Sequence, residues 1–481
     1  MRTPVLVRIL ALSLAACGNV APARAIPPLS EIAEAPTVAR PTGQEGTGSA
    51  GLDTKVVAAP PSGPAFLLHP ESLHRFFDGL AALERGQRGE DLRILQFGDS
   101  HTAADYQTGP LRRSLQQRFG DGGRGFVSVG RPWRMYVQEG VHLNGMTGWS
   151  PERGRFVKGQ FAGDGRYGLV GVSIATAQRG ARAYTDLAAP ASRIELAYLE
   201  EPRGGTLDVI VDGARVQRIK TCGPLPRSAY VSLDLPEAPH KIELAASGDG
   251  SVRVFGMTLD RPKVGVTLDA LGVNGARAGD LLRLDESHFA GELRHRDPGL
   301  VILAFGTNES ADDVPLPTYE KQLVDVLGRV ARAVPSASCL LLGPPDRAEK
   351  HRVVVPPQEG QGQATVQTIW TTVPRLVAIA TMEQRVAEAA GCAYYSQLDV
   401  MGGPGSIAGW AMEDPPRAML DRIHLSRQGY AELGDAVARD LIQAYDAYRS
   451  VTPSAPAARP ATPPLLPPSA SPVPVAGVFG R

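Results

Sequence analysis

The chain of 481 residues carries 50 Lys and Arg against 50 Asp and Glu, and 43% of its residues are hydrophobic. A formal net charge of zero excludes attraction of nucleic acid through overall charge. The apolar fraction excludes wholesale disorder, and no apolar run reaches the roughly eighteen residues of a spanning helix. The composition therefore indicates an exported or soluble globular protein of several parts.

The N-terminal residues 1–17 have the pattern of a secretory signal, with two arginines before a short apolar stretch. Their last four residues, Leu14-Ala15-Ala16-Cys17, resemble the lipobox of bacterial lipoproteins. This resemblance implies lipidation of Cys17 and a membrane association that is only through the lipid anchor. The small-x-small triplet Ala23-Arg24-Ala25 supports a second interpretation, cleavage to a freely secreted protein. Both predict export, to the periplasm or outer membrane as a lipoprotein, or outside the cell.

Two segments lack the patterning of a packed domain. Residues 18–65 are rich in Ala, Pro, Gly, Thr and Ser without apolar periodicity, which predicts a disordered linker. Residues 451–481 contain nine prolines among 31 residues, which predicts an extended, Pro-rich disordered tail.

Residues 66–150 and 263–450 alternate between strand and helix patterns, which predicts one α/β domain in two parts. Continuous apolar runs predict buried parallel strands at Leu92–Phe97, Leu300–Phe305 and Cys339–Leu342. Apolar spacings of three and four predict helices at Leu73–Leu83, Tyr319–Val330, Leu376–Ala390 and Ser426–Tyr448.

Residues 151–262 follow a different pattern, in which short stretches alternate with a period of two. Asp212-Gly213 between two such stretches predicts a hairpin turn. Evenly spaced short strands are typical of a β-sandwich or jelly roll, and we predict an inserted all-β sandwich module that is carbohydrate-binding-like. Its tyrosines, Tyr184, Tyr198 and Tyr230, either stack on sugar rings or pack in the core, and the alternation favours packing.

Cysteine and histidine spacing points to no metal. Cys222, Cys339 and Cys392 remain after the signal segment, and no pair has zinc-ligand spacing. Cys339 and Cys392 fall in short apolar runs, which favours two buried thiols in neighbouring strands over a single bridge. We predict no metal and no cofactor.

Three short polar segments carry the chemistry of nucleophilic catalysis. Gly98-Asp99-Ser100-His101 and Gly306-Thr307-Asn308-Glu309 each follow a predicted strand, and Asp421-Arg422-Ile423-His424 precedes the last helix. Carboxyl ends of parallel strands meet at one sheet edge, where ligands bind. A hydroxyl, a base, an acid and an amide donor at one edge are the components of acyl transfer.

The chain resembles the SGNH (GDSL-type) hydrolase superfamily in four blocks. They are Gly98–His101, Leu271-Gly272-Val273-Asn274-Gly275-Ala276, Gly306–Glu309, and Asp421 with His424. The resemblance implies a three-layer, flavodoxin-like hydrolase domain with a parallel sheet. It assigns Ser100 as nucleophile, His424 as general base and Asp421 as its orienting acid.

The same resemblance implies an oxyanion hole formed by the backbone N–H groups of Ser100 and Gly275 and by the side-chain amide of Asn308. Gly272 is the other candidate in its block, and position favours Gly275. Glu309 stands where the family more often has Asp, and no catalytic role rests on it.

Within the superfamily, G-D-S-H, G-T-N-E and a β insert after the first block resemble bacterial peptidoglycan O-acetylesterases. The resemblance implies a serine esterase that removes O-acetyl groups from a cell-envelope carbohydrate, with an acetylated glycan as its partner and no nucleic acid. Three alternatives stay open: a sugar O-acetyltransferase, a lipid or aryl esterase, and a non-catalytic envelope glycan-binding protein.

Overall fold

The structure, a computed structural model, describes residues 66–157, 160–355 and 364–451. The predicted signal segment with Cys17, the linker 18–65 and, apart from Val451, the tail 451–481 lie outside the described residues. Within the described ranges, no helix is long and apolar enough to cross a membrane.

The described chain forms strands and helices with the following bounds. The strands are β1 Leu67–Leu68, β2 Leu92–Gly98, β3 Gly123–Val127, β4 Val141–Thr147, β5 Ser150–Arg153, β6 Arg155–Val157, β7 Gln160–Ala162, β8 Val172–Thr176, β9 Arg182–Glu200, β10 Thr206–Val211, β11 Ala214–Lys220, β12 Arg227–Ala246, β13 Val252–Asp260, β14 Val266–Gly272, β15 Pro298–Ala304, β16 Ser338–Leu342, β17 Ala348–Val355, β18 Thr365–Thr372 and β19 Ala393–Tyr395. The helices are α1 His74–Glu84, α2 Ser100–Ala103, α3 Thr108–Phe119, α4 Glu286–Arg296, α5 Leu316–Ala333, α6 Pro374–Ala390, α7 Gln397–Val400, α8 Ser406–Trp410 and α9 Arg427–Val451.

A six-stranded sheet in the order β1-β19-β16-β15-β2-β14 organises the α/β part. Its strands are parallel except for β1, which pairs antiparallel with β19. Numbered along the chain, the five parallel strands run 2-1-3-4-5, the flavodoxin-like order. The order reverses between β2 and β15, and the crevice at such a reversal is where ligands bind in this fold class.

Apolar side chains cover both faces of this sheet. On one face, Leu95, Leu303 and Leu341 pack with residues of α4, α5 and α6. On the other, neighbouring strand positions such as Ile94 and Ile302 pack with α1, α3 and α9. Burial on both faces explains why the strands appear as continuous apolar runs, and it produces three layers.

The segment between the two parts of the α/β fold is entirely β, and seven strands order it as β11-β10-β12-β9-β13-β8-β5. β3 and β4 complete this nine-stranded antiparallel sheet by pairing with β13 and β9, so it also draws on residues before 151. Asp212 and Gly213, both with positive φ, form the predicted turn between β10 and β11. The predicted two-layer sandwich with carbohydrate-binding character stays a prediction, as do the domain boundaries.

Two of the three tyrosines considered for sugar stacking, Tyr198 and Tyr230, have internal contacts. The Tyr230 ring stacks on His295 with centroids 3.4 Å apart, and its hydroxyl donates to Glu292 at 3.0 Å. Tyr198 is buried in the insert's core. These contacts are those of packing residues.

A disulfide joins Cys339 and Cys392, which corrects the expectation of two separate thiols. The parallel register explains it, because Leu340 of β16 pairs with Ala393 of β19. Cys339 directly precedes Leu340, and Cys392 directly precedes Ala393. The two cysteines therefore face each other, with their Cα atoms 4.9 Å apart.

Candidate active site

Ser100 lies at the carboxyl edge of the sheet because β2 ends at Gly98 and α2 begins at once. A Cβ atom at position 98 would lie 2.8 Å from the carbonyl oxygen of Ala304, so only glycine fits between the strands. Asp99 then caps α2 by accepting a hydrogen bond from the His101 backbone N–H at 2.9 Å. This turn places the Ser100 hydroxyl beside the crevice at the strand-order reversal.

The structure brings Ser100, His424 and Asp421 together in one chain of contacts. Ser100 Oγ lies 3.0 Å from His424 Nε2, and His424 Nδ1 lies 2.8 Å from Asp421 Oδ2. Both distances are those of hydrogen bonds, although Ser100 and His424 are 324 positions apart in sequence. In this order, the imidazole can take the proton of the hydroxyl while the hydroxyl oxygen attacks a carbonyl, and the carboxylate orients the imidazole.

Asp421 is held in its ionised form. Partial burial would raise the pKa of its carboxyl, but the His424 side chain and the backbone N–H groups of His424 and Ile423 donate hydrogen bonds to it. These donors outweigh burial and lower the pKa of Asp421 from 3.8 to about 2. A fixed negative charge at this position favours a proton on the facing nitrogen of His424.

The segments that carry the predicted oxyanion donors Gly275 and Asn308 both contact the block that contains Ser100. Val273 N–H donates to the Gly98 carbonyl at 3.0 Å, which holds the turn containing Gly275 against the end of β2. The Asn308 amide nitrogen donates to Ala276 O at 3.0 Å and to Asp99 Oδ2 at 3.3 Å. Both amide hydrogens of Asn308 therefore have protein acceptors, and the longer bond to Asp99 is the weaker one.

The surroundings of the two glycine candidates differ. A Cβ atom at Gly272 would collide with the backbone nitrogen of Ala103, so Gly272 serves close packing of β14 against α2. Gly275 has a φ of 76° and open space around its Cα. Among the described residues, its N–H has no recorded acceptor. Gly275 is thus the better placed of the two to offer an N–H, in keeping with the prediction.

Two buried residues support the site in ways that sequence reasoning missed. Glu309 accepts hydrogen bonds from Ala278 N–H at 2.9 Å and from Gly306 N–H at 3.0 Å, so it ties the second block to the third. The His101 ring lies 5.6 Å from that of His424 and shares a 2.9 Å hydrogen bond between Nδ1 and the Tyr430 hydroxyl. Burial, with the nearby His424, lowers the pKa of His101 to about 3, so its ring is neutral.

Asp99 is the buried acid of the first block. Burial raises its pKa from 3.8 to about 7, and the charge of Glu309 acts in the same direction. A carboxyl that loses charge near neutral pH, under the Asn308 amide, changes the strength of the bond that Asn308 donates to it. Asp99 is thus the acceptor whose charge sets how strongly the Asn308 amide is held away from an oxyanion.

No group of His, Cys, Asp and Glu side chains suited to holding a metal ion occurs in the part of the chain that the structure describes.

Arg422 lies between Asp421 and His424 in sequence and holds the loop that carries them. It has a left-handed φ of 54°, and the residue is 8% exposed. Its guanidinium lies over the Trp370 ring at 4.9 Å, contacts Met412 Sδ at 3.3 Å and donates to Leu420 O at 2.6 Å. Its backbone carbonyl accepts from Ala348 N–H at 2.9 Å. The hairpin β17–β18, which no sequence pattern predicted, is thereby joined to the Asp421–His424 loop.

Replacing Arg422 with Lys is expected to lower kcat for a small ester about tenfold with little change in KM, because a planar stacked cation is worth up to about 2 kcal/mol when desolvated. Steady-state kinetics with p-nitrophenyl acetate measures both constants. Arg417→Lys is the matched control, since Arg417 stacks on Trp410 at 4.0 Å outside this loop. Equal losses of kcat in both variants would contradict a specific role in positioning the loop.

The chain was compared with known proteins. Residues 243–432 match the GDSL-like lipase/acylhydrolase family model. No match was found among curated protein sequences. A solved structure titled "Peptidoglycan O-acetylesterase in action, 5 min" matches with a TM-score of 0.61 at 22% identity, covering 78% of this chain and 96% of the other.

Two family two carbohydrate esterase structures show weaker likeness. The enzyme from Clostridium thermocellum in complex with cellohexaose has a TM-score of 0.25 at 11% identity, covering 55% of this chain and 94% of its own. The enzyme from Cellvibrio japonicus has a TM-score of 0.24 at 12% identity, covering 67% and 98%.

The fold therefore matches that of a peptidoglycan O-acetylesterase structure over most of both chains. The family match begins inside β12 and ends within α9, so it includes the blocks of Gly275, Asn308 and His424. Over residues 243–432 the chain is similar to the GDSL-like lipase/acylhydrolase family, and it is a carboxylic ester hydrolase.

Proposed function

We propose that this protein is a serine esterase that removes O-acetyl groups from a carbohydrate of the cell envelope, with peptidoglycan as the polymer. The observation that carries the proposal is the contact chain Ser100–His424–Asp421, with distances of 3.0 and 2.8 Å. The fold's likeness to a peptidoglycan O-acetylesterase supports the choice of polymer. Export and lipidation at Cys17 belong to the same proposal.

In the proposed mechanism, Ser100 Oγ attacks the acetyl carbonyl while His424 Nε2 takes its proton. The carbonyl oxygen becomes an oxyanion held by the N–H groups of Ser100 and Gly275 and by Asn308, once the amide gives up its bond to Asp99. Each such donor is typically worth about 2.7–4 kcal/mol. His424 then protonates the leaving sugar oxygen, and the acetyl group stays on Ser100.

Water completes the cycle. His424 removes a proton from a water molecule, which attacks the acetyl-enzyme, and acetate leaves as Ser100 recovers its proton. A second sugar hydroxyl in place of water would give acetyl transfer with the same residues. The two outcomes differ only in what occupies the acceptor position.

The test is acetate release from O-acetylated peptidoglycan, with wild type and Ser100→Ala measured side by side. We expect release by wild type alone. Acetylated xylan serves as a neutral polymer for comparison, and acetyl groups recovered on added sugar acceptors would indicate transfer. Cleavage of p-nitrophenyl acetate by wild type without release from peptidoglycan would keep the site and overturn the substrate.

A second candidate, an esterase for longer acyl chains, is favoured by one observation. Leu420, next to Asp421, is 76% exposed, and Met419, whose N–H donates to His424 O, is 52% exposed. Exposed apolar side chains beside the catalytic loop suit an acyl chain as well as the apolar face of a sugar. Rates on p-nitrophenyl acetate, butyrate and octanoate discriminate, because an acetylesterase loses activity as the chain lengthens.

A further inference from the structure

The carboxyl edge of the sheet presents a cation next to the proposed catalytic groups. β2, β15 and β16 are neighbours in the sheet, and the chain continues from their ends to Ser100, Asn308 and Arg347. Arg347 Nη1 donates to Thr307 O at 2.9 Å and to Ser310 Oγ at 3.3 Å. Its guanidinium therefore lies against the loop that carries Asn308, on the side away from Ser100 in strand order.

Arg347 has no counterion in the described ranges. It is half-buried, yet no carboxylate lies within ion-pair distance of it among the described residues. The nearest acids act on it only at longer range, and burial lowers its pKa without removing the charge. Other arginines near the site are paired; Arg277, for example, contacts Asp312 through two nitrogens.

Most of its hydrogen-bonding capacity is also unused. Both recorded bonds of Arg347 come from Nη1 and go to neutral oxygens. The remaining nitrogens, Nε and Nη2, carry three N–H groups that have no acceptor recorded in the described part of the chain. Nε and Nη2 together form the edge of a guanidinium that binds a carboxylate through two parallel bonds.

We propose that Arg347 binds a carboxylate of the substrate beside the acetylated sugar, so that the enzyme selects acidic acetylated glycans. This inference rests on the proposed function and narrows its substrate class. The chemistry required is a free carboxylate within one sugar unit of the acetyl ester, such as the lactyl ether acid of a sugar that bears no peptide stem. A charge-assisted pair of this kind contributes roughly 10- to 100-fold in affinity, which is about 1.4–2.8 kcal/mol.

The competing explanation is that Arg347 only anchors the Asn308 loop through Thr307 and Ser310. An anchor would affect every ester alike, whereas a carboxylate-binding residue affects acidic ligands alone. Two sugars separate these cases, because N-acetylmuramic acid differs from N-acetylglucosamine by one lactyl carboxylate.

The experiment measures inhibition of p-nitrophenyl acetate hydrolysis by each sugar, in wild type, Arg347→Gln and Arg352→Gln. Arg352 is exposed on β17, so its variant is a matched control for the loss of one positive charge. We expect the inhibition constant of N-acetylmuramic acid to rise at least tenfold in Arg347→Gln alone. That of N-acetylglucosamine should stay within twofold in all three proteins.

Equal inhibition of wild type by the two sugars, or inhibition by neither, would overturn the proposal. A fall in p-nitrophenyl acetate turnover in Arg347→Gln with unchanged sugar selectivity would assign the residue to anchoring instead. Because the assay uses a small ester, its result does not depend on whether acetylated peptidoglycan is the polymer. Failure of the proposed function is read separately, from acetate release by wild type.

Discussion

Replacing His424 with alanine is expected to lower kcat for acetate release by about 10⁶-fold, the loss typical of removing the base from a serine hydrolase triad. His424 Nε2 lies 3.0 Å from Ser100 Oγ, so without it the hydroxyl keeps its proton during attack. Discontinuous acetate assays over long incubations measure the residual rate. Unfolding midpoints should stay close to wild type, because the half-exposed imidazole contributes little packing.

Combining His424→Ala with Ser100→Ala should lower the rate no further than either change alone. Ser100 and His424 act together in one step, so removing either group already removes the whole rate enhancement that depends on both. A double variant slower than both single variants by another large factor would mean that each residue acts independently. In that case, the base for Ser100 would have to be sought elsewhere.

The parallel strands of the sheet were predictable because burial on both faces leaves an unmistakable pattern. Leu300–Phe305 and Cys339–Leu342 are uninterrupted apolar runs that end in glycine, and both are strands with close to those bounds. Since parallel strands end at one edge, the polar segments after them were expected to meet, and those of Ser100 and Asn308 do. The position of His424 could not be predicted from strand ends, because it depends on how α9 packs.

Elements without a buried face escaped prediction for the same physical reason. The strands of the β17–β18 hairpin are mostly exposed on both sides, so apolar and polar residues do not alternate along them. In the β insert, the predicted short strands include one that is long in the structure, β12, whose pairing with β9 shifts register after Asp234. In the sequence, such a register shift interrupts the alternation and so resembles the end of a strand.

The residues that support the site, Glu309 and Arg422, do so through contacts in space that the spacing of residues in the sequence does not reveal. The bonds of Glu309 to Ala278 and Gly306 join segments from two loops, and no local pattern announces them. The contact of Arg422 with Trp370 depends likewise on a hairpin absent from the prediction. Motif resemblance singled out residues that the structure brings together, while packing determines which neighbours hold them.

Replacing Asp421 with asparagine is expected to lower kcat by about 10⁴-fold with the fold intact. The carboxylate accepts from His424 Nδ1 at 2.8 Å, which leaves Nε2 free to take the Ser100 proton. An asparagine amide can turn its N–H₂ toward Nδ1 and stabilise the wrong tautomer. Kinetics on p-nitrophenyl acetate measures the loss, with Asp446→Asn, a surface change on α9, as the matched control.

The pH profile gives this prediction a second readout. The pKa of Asp421 is lowered from 3.8 to about 2, so its contact with His424 is complete above about pH 4 and is lost only as pH falls through about 2. Loss of kcat/KM above about pH 4 in wild type therefore does not come from protonation of Asp421. In Asp421→Asn the loss of activity should persist at every pH above about 4, because no pH restores a carboxylate at position 421. A variant as active as wild type at any such pH would show that Asp421 does not act on His424.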